Sequence, residues 1–247
     1  TYSGIKVRQG YKITLPKTTY PVEGTLTIKD EKTGLEKELA ITSVPDYDNT
    51  NLKPVRVNDK YWAPVNIGAI STTYSSDRDG CGDYFQWGRN VAFSTYGSSG
   101  DTYGGPVTAE TPAEDYADKF ITHGASPYNW LSPKDDYLWS GAKAQGPCPD
   151  GWRVPVSDEF TGLASGVFAD SRLKIQGDVS GKDLYLPAAG NRSNYSHATW
   201  SYRGAAGHYW SSTVSGNNAT KLAFSDGVQD VTTDRRAAGA SVRCIQE

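Results

Sequence analysis

Apolar and polar residues alternate in two runs near the start of the chain, Thr25-Leu-Thr-Ile-Lys29 and Leu35-Glu-Lys-Glu-Leu-Ala-Ile-Thr42. A Lys-Thr-Gly turn joins them, and alternation of period two around a glycine turn predicts a β-hairpin. Residues 1 to about 47 read as short strands throughout. So little β structure is marginal alone, so this piece should dock on the rest of the chain or end a larger β domain. Asp46-Tyr-Asp-Asn-Thr-Asn51 is polar, free of large aliphatics, and reads as a linker. Beyond it, Val55-Arg-Val57 and Tyr61-Trp-Ala-Pro-Val-Asn66 flank Asn58-Asp59, a second hairpin signal. Tyr84-Phe-Gln-Trp-Gly88 reads as a short aromatic strand. Helical signals are few. Pro112-Ala-Glu-Asp-Tyr-Ala-Asp-Lys-Phe120 carries acids early and Lys late, which predicts a short helix. Pro155-Val-Ser-Asp-Glu-Phe-Thr-Gly-Leu163 predicts a second, with Ser157 as cap and Asp158 and Glu159 complementing the dipole. After residue 170 strands return at Leu184–Leu186, His208–Ser212, Ala219–Phe224 and Ser241–Gln246. The pattern divides the chain into a small all-β segment (1–50) and a larger domain (51–247).

Between those late strands the pattern breaks. From Gly190 to Thr220 there is no Leu, Ile or Met, and Val214 is the only aliphatic residue larger than Ala. Tyr, Trp, Ser, Asn, His, Arg and Gly take their place. Tyr and Trp give contact area with few torsions to freeze, while Ser, Asn and Gly supply adaptable hydrogen bonds, as in antibody paratopes. Residues 191–203, with 226–236, are therefore the leading candidate for a binding surface. Trp200, Tyr195 and Tyr202 are its candidate anchors. Arg203, Arg235 and Arg236 have the fork that grips carboxylates bidentately. Tyr209 and Trp210 are assigned to the core, with Leu186, Leu222 and Val242.

Composition narrows the classes of function. Lys and Arg number 25 against 28 Asp and Glu, so no basic field for nucleic acid or an anionic membrane exists. No apolar run approaches the roughly 18 residues of a membrane span. Trp, Tyr and Gly are plentiful while aliphatics are scarce, which predicts a loop-rich fold with an aromatic core. No Met stands anywhere, position 1 included, so the chain is expected to begin after processing or trimming. A bridge between Cys148 and Cys244 would close a loop of nearly a hundred residues, stabilise by about 4–5 kcal/mol and imply an oxidising compartment. Two buried thiols fit the spacing equally well. Cys81 is left over. His123, His197 and His208 are the only imidazoles, and no Gly-x-Ser-x-Gly elbow, His-Glu-x-x-His pair or phosphate loop is present. An enzyme is not expected, nor a cofactor.

Six blocks carry a resemblance. They are Tyr61-Trp-Ala-Pro-Val-Asn66, Tyr84-Phe-Gln-Trp-Gly88, Cys148-Pro-Asp-Gly-Trp-Arg-Val-Pro155 followed by Glu159, Leu186-Pro-Ala-Ala-Gly190, Gly207-His-Tyr-Trp-Ser-Ser212 and Gly239-Ala-Ser-Val-Arg-Cys244. In this order they resemble the major-paralogous (FISUMP) domain of Bacteroidetes surface proteins, related to formylglycine-generating enzymes. The resemblance implies an α+β, C-type-lectin-like domain with two short helices and irregular β-sheets, and a Cys148–Cys244 disulfide. The tail from Phe224 to Cys244 is similar to that of variable proteins diversified by retroelements, in which exchanged positions precede a fixed Ser-Val-Arg-Cys. Matching positions are Asn191, Ser193, Tyr195, Ser196, His197, Ser201, Tyr202, His208, Asp226, Asp230, Thr233, Asp234 and Arg235. The resemblance implies an extracellular adhesin at a cell surface or pilus tip, or a lipid-anchored one. It would bind a protein or glycan on a host or bacterial surface and meet pilus subunits through the N-terminal β segment.

Two alternatives arise from the same likeness. A calcium-dependent carbohydrate module would need Glu-Pro-Asn, Gln-Pro-Asp or Trp-Asn-Asp signatures, which are absent. Asp77-Arg-Asp-Gly-Cys-Gly-Asp83 spaces carboxylates as calcium loops do, but Cys holds the fifth position and no Glu follows at the twelfth, so no metal site is assigned. A formylglycine-type oxidase would need a reactive cysteine pair, whereas Cys81 stands alone. A thiol beside Arg78 would be somewhat acidified, against the plainer reading of a free or buried Cys81.

Overall fold

The computed structural model describes residues 20–247 apart from 31, 49, 96–101, 110–115, 164, 180 and 196–198. Strands β1 (Val22–Lys29) and β2 (Glu36–Ser43) pair antiparallel without interruption from Val22↔Ser43 to Lys29↔Glu36. The Asp30 carboxylate closes their turn by accepting from the Lys32 and Thr33 amides at 2.8 and 3.3 Å. Ile28, Leu35 and Leu39 of this hairpin stay exposed. It is tethered where Gln246 Nε2 donates to the Pro21 carbonyl at 2.7 Å and Tyr61 Oη to Glu23 at 3.2 Å.

The remainder runs β3 (Val55–Val57), β4 (Lys60–Trp62), α1 (Arg78–Cys81), β5 (Asp83–Gln86), β6 (Phe93–Ser94), β7 (Thr102–Gly104), β8 (Phe120–Thr122), β9 (Trp152–Arg153) and α2 (Ser157–Thr161). It continues with β10 (Val167–Ala169), β11 (Arg172–Ile175), β12 (Leu184–Pro187), β13 (Asn191–Arg192) and β14 (Trp200–Ser201). Last come β15 (Ala206–Ser215), β16 (Asn218–Ser225), β17 (Val228–Arg235), β18 (Gly239–Ser241) and β19 (Ile245–Gln246). The main sheet is ordered β14-β13-β18-β15-β16-β17, with β5 and β6 attached through β18. A second sheet, β3-β4-β19-β9, brings the last strand beside Trp62 and Trp152, and β10-β11-β12 form a third.

The expected α+β class is wrong. Of the described residues, 41% are strand and 6% helix, so the fold is mostly β. In the segment expected to be helical around 112–120, residues 110–115 lie outside the described residues. Tyr116–Asp118 form a turn, and Phe120 opens β8, paired parallel with β7. Phe120 and Ile121 are fully buried there, and burial of an aromatic and a β-branched side chain on a sheet outweighs weak acidic helix signals. The second expected helix is α2, only five residues long. Its cap differs from expectation: Val156 is the N-cap, and Glu159 reaches back to the Val156 amide at 2.9 Å. The Ser157 amide goes instead to Thr213 Oγ1 at 3.0 Å. Arg153 fixes Glu159 with a fork of 2.8 and 2.7 Å.

The core is built from indoles. Six of the seven tryptophans (62, 87, 130, 139, 152 and 210) are essentially inaccessible. Three stitch elements together through the indole N–H: Trp210 to the Phe85 carbonyl at 2.8 Å, Trp87 to Ser211 at 2.9 Å and Trp130 to Trp87 at 2.7 Å. A buried indole whose donor is satisfied adds area without a desolvation penalty. The bridge implied by the resemblance is present, Cys148–Cys244, with Cα atoms 5.9 Å apart.

Arg243, beside Cys244, is wholly buried, and among the described residues no carboxylate pairs with it. Its Nε and Nη2 donate to Asn66 Oδ1 at 3.0 and 2.8 Å, Nη1 to the Ala63 carbonyl and Nη2 to Tyr185, both at 2.9 Å. Burial lowers its pKa to about 10, so it stays charged at neutral pH. Asn66 in turn donates to Tyr209 Oη at 3.2 Å, and that hydroxyl donates to Pro187 at 2.6 Å. The network binds β4, β12, β15 and the C-terminal segment under one end of the main sheet.

Candidate functional site

The surface singled out from composition lies over this frame. Strands β13 and β14 pair as Asn191↔Ser201 and Arg192↔Trp200, so residues 193–199 form their connecting loop. The Ser193 amide donates to the Thr199 carbonyl at 2.9 Å and closes the loop base. Asn194 pins it from below. Buried, it donates through Nδ2 to the His123 carbonyl at 2.8 Å, and its own carbonyl accepts the His123 amide at 2.8 Å. Tyr195 then projects outward, its amide accepted by Ser193 Oγ at 3.2 Å. Ser196 and His197 lie outside the described residues.

The three expected anchors divide. Tyr195 and Tyr202 are 47% and 65% exposed, at opposite ends of the segment. Trp200 is half-buried against Cys81, Tyr84, Phe93, Phe120 and Ala189, so much of its area holds the frame rather than facing solvent. Tyr202 takes φ +63, a left-handed conformation that turns the chain from β14 into β15.

The arginines do not stand as free carboxylate clamps. Arg203 stacks 5.0 Å from the Trp200 ring and donates to the Ser76 carbonyl. Arg235 lies between Tyr128 and Tyr195 and donates to Tyr195 Oη at 2.7 Å. Arg236 is buried over Trp87, donating to Asp136 Oδ1 at 2.6 Å and to the Asp135, Gly216 and Asn218 carbonyls. It is a structural residue, and the expectation that it grips ligand is corrected.

Strand register places the tail residues. His208, Ala223 and Asp230 stand opposite one another, as do Trp210, Lys221 and Thr232. These six share one face of the sheet, which is core at Trp210 and surface at Asp230. Asp234, two residues beyond Thr232, joins that face and pairs with Lys221. Thr233 falls on the opposite face, with Val231 and Leu222, and Arg235 shares its parity. Asp226 is exposed in the β16–β17 turn, beside the start of β15 through Ala206↔Ser225.

His208 sits behind Tyr202, ring centres 6.4 Å apart, with the Lys221–Asp234 pair nearby. Burial, and secondarily the Lys221 charge, lower its pKa to about 4, so it is neutral at physiological pH. Both ring nitrogens are buried without a hydrogen-bond partner among the described residues. The same holds for Asn191 Oδ1, Trp200 Nε1 and Arg203 Nε. Five of the nine such atoms among the described residues thus fall between positions 191 and 208.

Sequence reasoning missed Tyr128, Lys221 and Asn194. Tyr128 and Lys221 lie outside or at the edge of the polar stretch; Asn194 lies inside it but reads like its neighbours. Only the fold brings them under it. The acidic loop offers little to a cation. Asp77 accepts from Ser75 Oγ and the Gly80 amide, while Asp83 receives Arg78 at 2.8–3.1 Å. Among the described residues no three His, Cys, Asp or Glu side chains converge on a common point. Cys81 is buried, donates to the Ser75 carbonyl at 3.0 Å, and has its pKa pushed up to about 11 by burial. Its thiol is therefore protonated and shielded, contrary to acidification by a nearby arginine.

No protein-family model, curated protein or solved structure matches this chain. Among the described residues no helix is long and apolar enough to cross a membrane.

Proposed function

We propose that the chain is an extracellular recognition module, an adhesin that acts by association and catalyses nothing. The concentration of unpartnered buried donors and acceptors between Asn191 and His208, beside the exposed rings of Tyr195 and Tyr202, carries this reading. Buried polar groups are ordinarily satisfied, and a segment that leaves several unmet is prepared for partners from outside the chain. The aromatic rings would supply area, and the polar groups beneath them would set orientation. Ligand is then a protein or glycan displayed on a host or bacterial surface.

The frame supports exchange of surface side chains. All six blocks of the FISUMP resemblance reach the buried interior, through Trp62, Trp87, Trp152, Leu186, Trp210 and Val242. The positions matching retroelement-diversified proteins that fall among the described residues lie on or beside strands β13 to β17. On this reading the disulfide suits an oxidising, extracytoplasmic setting, and the β1–β2 hairpin connects to a pilus or lipid anchor. Neither the calcium module nor the oxidase gains an observation in its favour.

The test is capture on arrays of surface glycans and displayed proteins, comparing the native chain with a Tyr195→Ala/Tyr202→Ala variant. Capture lost at least about tenfold, with unchanged melting, supports the proposal. Undiminished capture by the variant, or no capture by the native chain, refutes it.

A further inference from the structure

A second surface lies at the free edge of the main sheet. Strand β17 pairs with β16 over eight uninterrupted positions and, among the described residues, with no strand on its other side. The β16–β17 turn has two residues, Asp226 and Gly227, so the flanking pair Ser225 and Val228 exchange both bonds. Val228, Asp230, Thr232 and Asp234 consequently bond inward. Gln229, Val231 and Thr233 turn their N–H and C=O groups away from the sheet. None of these outward groups has a backbone partner among the described residues.

Natural edge strands are ordinarily guarded by Lys, Pro or a bulge. Val228–Arg235 contains neither residue, and the bulge in this sheet falls on the β15–β16 pair between Trp210 and Val214. Strand β10 is likewise the outer strand of its sheet, and its two-residue turn at Asp170–Ser171 directs the Phe168 backbone outward. A cavity of about 460 Å³ separates the two edges. It is lined by Val167, Phe168 and Leu173 on one side and by Asp226, Val228 and Gln229 on the other. Val167 and Val228, which line it, are 64% and 59% exposed.

Charge decides what fits. Asp226 and Asp230 make no ion pair among the described residues, and Asp170 is 3.9 Å from its only basic neighbour, Arg172. The nearby cations are spent: Lys174 is held by Asp183 at 3.0 Å, and Arg172 stacks on Tyr185 while donating to the Thr72 carbonyl. We infer that this notch receives an extended, positively charged segment of a partner protein, which adds to β17 as a further strand. Its main-chain groups meet Gln229, Val231 and Thr233, alternate apolar side chains enter on the face of Val231 and Phe168, and basic side chains fall on the other face beside Asp226 and Asp230. This goes beyond the recognition surface around Tyr195 and Tyr202 and does not depend on it.

The probe is an acetylated hexapeptide alternating Lys and Val, titrated into the folded chain and followed through backbone amide shifts, with an alternating Glu and Val hexapeptide as comparison. The Lys peptide is expected to shift and protect the Phe168, Gln229 and Val231 amides. Thr233→Pro removes one outward N–H from an exposed edge position and should weaken binding about tenfold. Asp226→Lys, in an exposed turn, should weaken it about threefold or more, and Tyr202→Ala should change nothing. Equal binding of the Glu peptide, shifts confined to residues 191–205, undiminished affinity in both edge variants, or no binding at millimolar peptide would each overturn the proposal. So would self-association of the chain without peptide that Thr233→Pro abolishes, since the edge would then belong to a second copy.

Discussion

Arg235 donates to the Tyr195 hydroxyl at 2.7 Å, with its guanidinium carbon 5.4 Å from that ring. Tyr128 supports the opposite side at 3.9 Å. The pair is partly exposed, so solvent competes for both partners. Arg235→Ala or Tyr195→Phe should each cost less than about 1 kcal/mol in urea unfolding. Arg236→Ala, one residue along, should cost about 3 kcal/mol because it leaves the Asp135, Gly216 and Asn218 carbonyls without its donors around a buried gap, although Lys134 still holds Asp136. Equal losses at the two positions would contradict this division between face and frame.

Arg243→Ala is expected to be more damaging than either. Removing a fully buried guanidinium leaves Asn66 Oδ1 and the Ala63 and Tyr185 carbonyls unsatisfied at once. A loss of about 3–5 kcal/mol is expected, with little recovery in Arg243→Lys, whose single ammonium does not reproduce the fork. A chain melting within a few degrees of the native one would show that the network is dispensable.

Acid should loosen the fold through His208. Its folded pKa is depressed to about 4, while the unfolded chain titrates near the ordinary 6.5. Between these values the unfolded state binds more protons, so stability is full above about pH 6.5, declines as pH falls, and levels off below about 4. The total is on the order of 3 kcal/mol. Melting curves of the native chain and His208→Gln, taken from pH 7 to 4, should converge as pH falls. Parallel curves would remove His208 as the cause.

Thiol chemistry separates frame from reactivity. The native chain should show no thiol to an aromatic disulfide reagent while folded and one, Cys81, after denaturation without reductant. Cys148→Ala/Cys244→Ala should lower stability by about 4 kcal/mol, as expected for opening a closed loop of 96 residues. A rapidly reacting thiol in the folded chain would contradict the shielding of Cys81.

Much of the frame was legible in the chain. The Asn58-Asp59 hairpin carries its turn chemistry in two adjacent residues that both adopt positive φ, 51° and 62°. The aromatic core could be anticipated because Trp replaces the missing aliphatics. Strand β17 was not: Val228-Gln-Asp-Val-Thr-Thr-Asp-Arg235 is polar enough to pass for a variable loop, although two Val and two Thr in eight residues are a β-branched signal. Composition singled out the segment 191–203, but its wiring could not be read there. Whether an arginine reaches solvent or a carbonyl depends on residues a hundred positions away, as with Arg203 and Ser76 or Arg236 and Asp136. Strand parity, invisible without register, puts Thr233 and Arg235 on one face of β17 and Asp230 and Asp234 on the other.

The indole bonds of the interior bear on how such a chain tolerates change. A slip of β15 by one residue would carry Trp210 Nε1 away from Phe85 and exchange the sides of Tyr209 and Trp210 together. Misaligned alternatives are thus rejected deep inside, by donors that find no acceptor. New side chains above can be tried one after another without the strands losing their place.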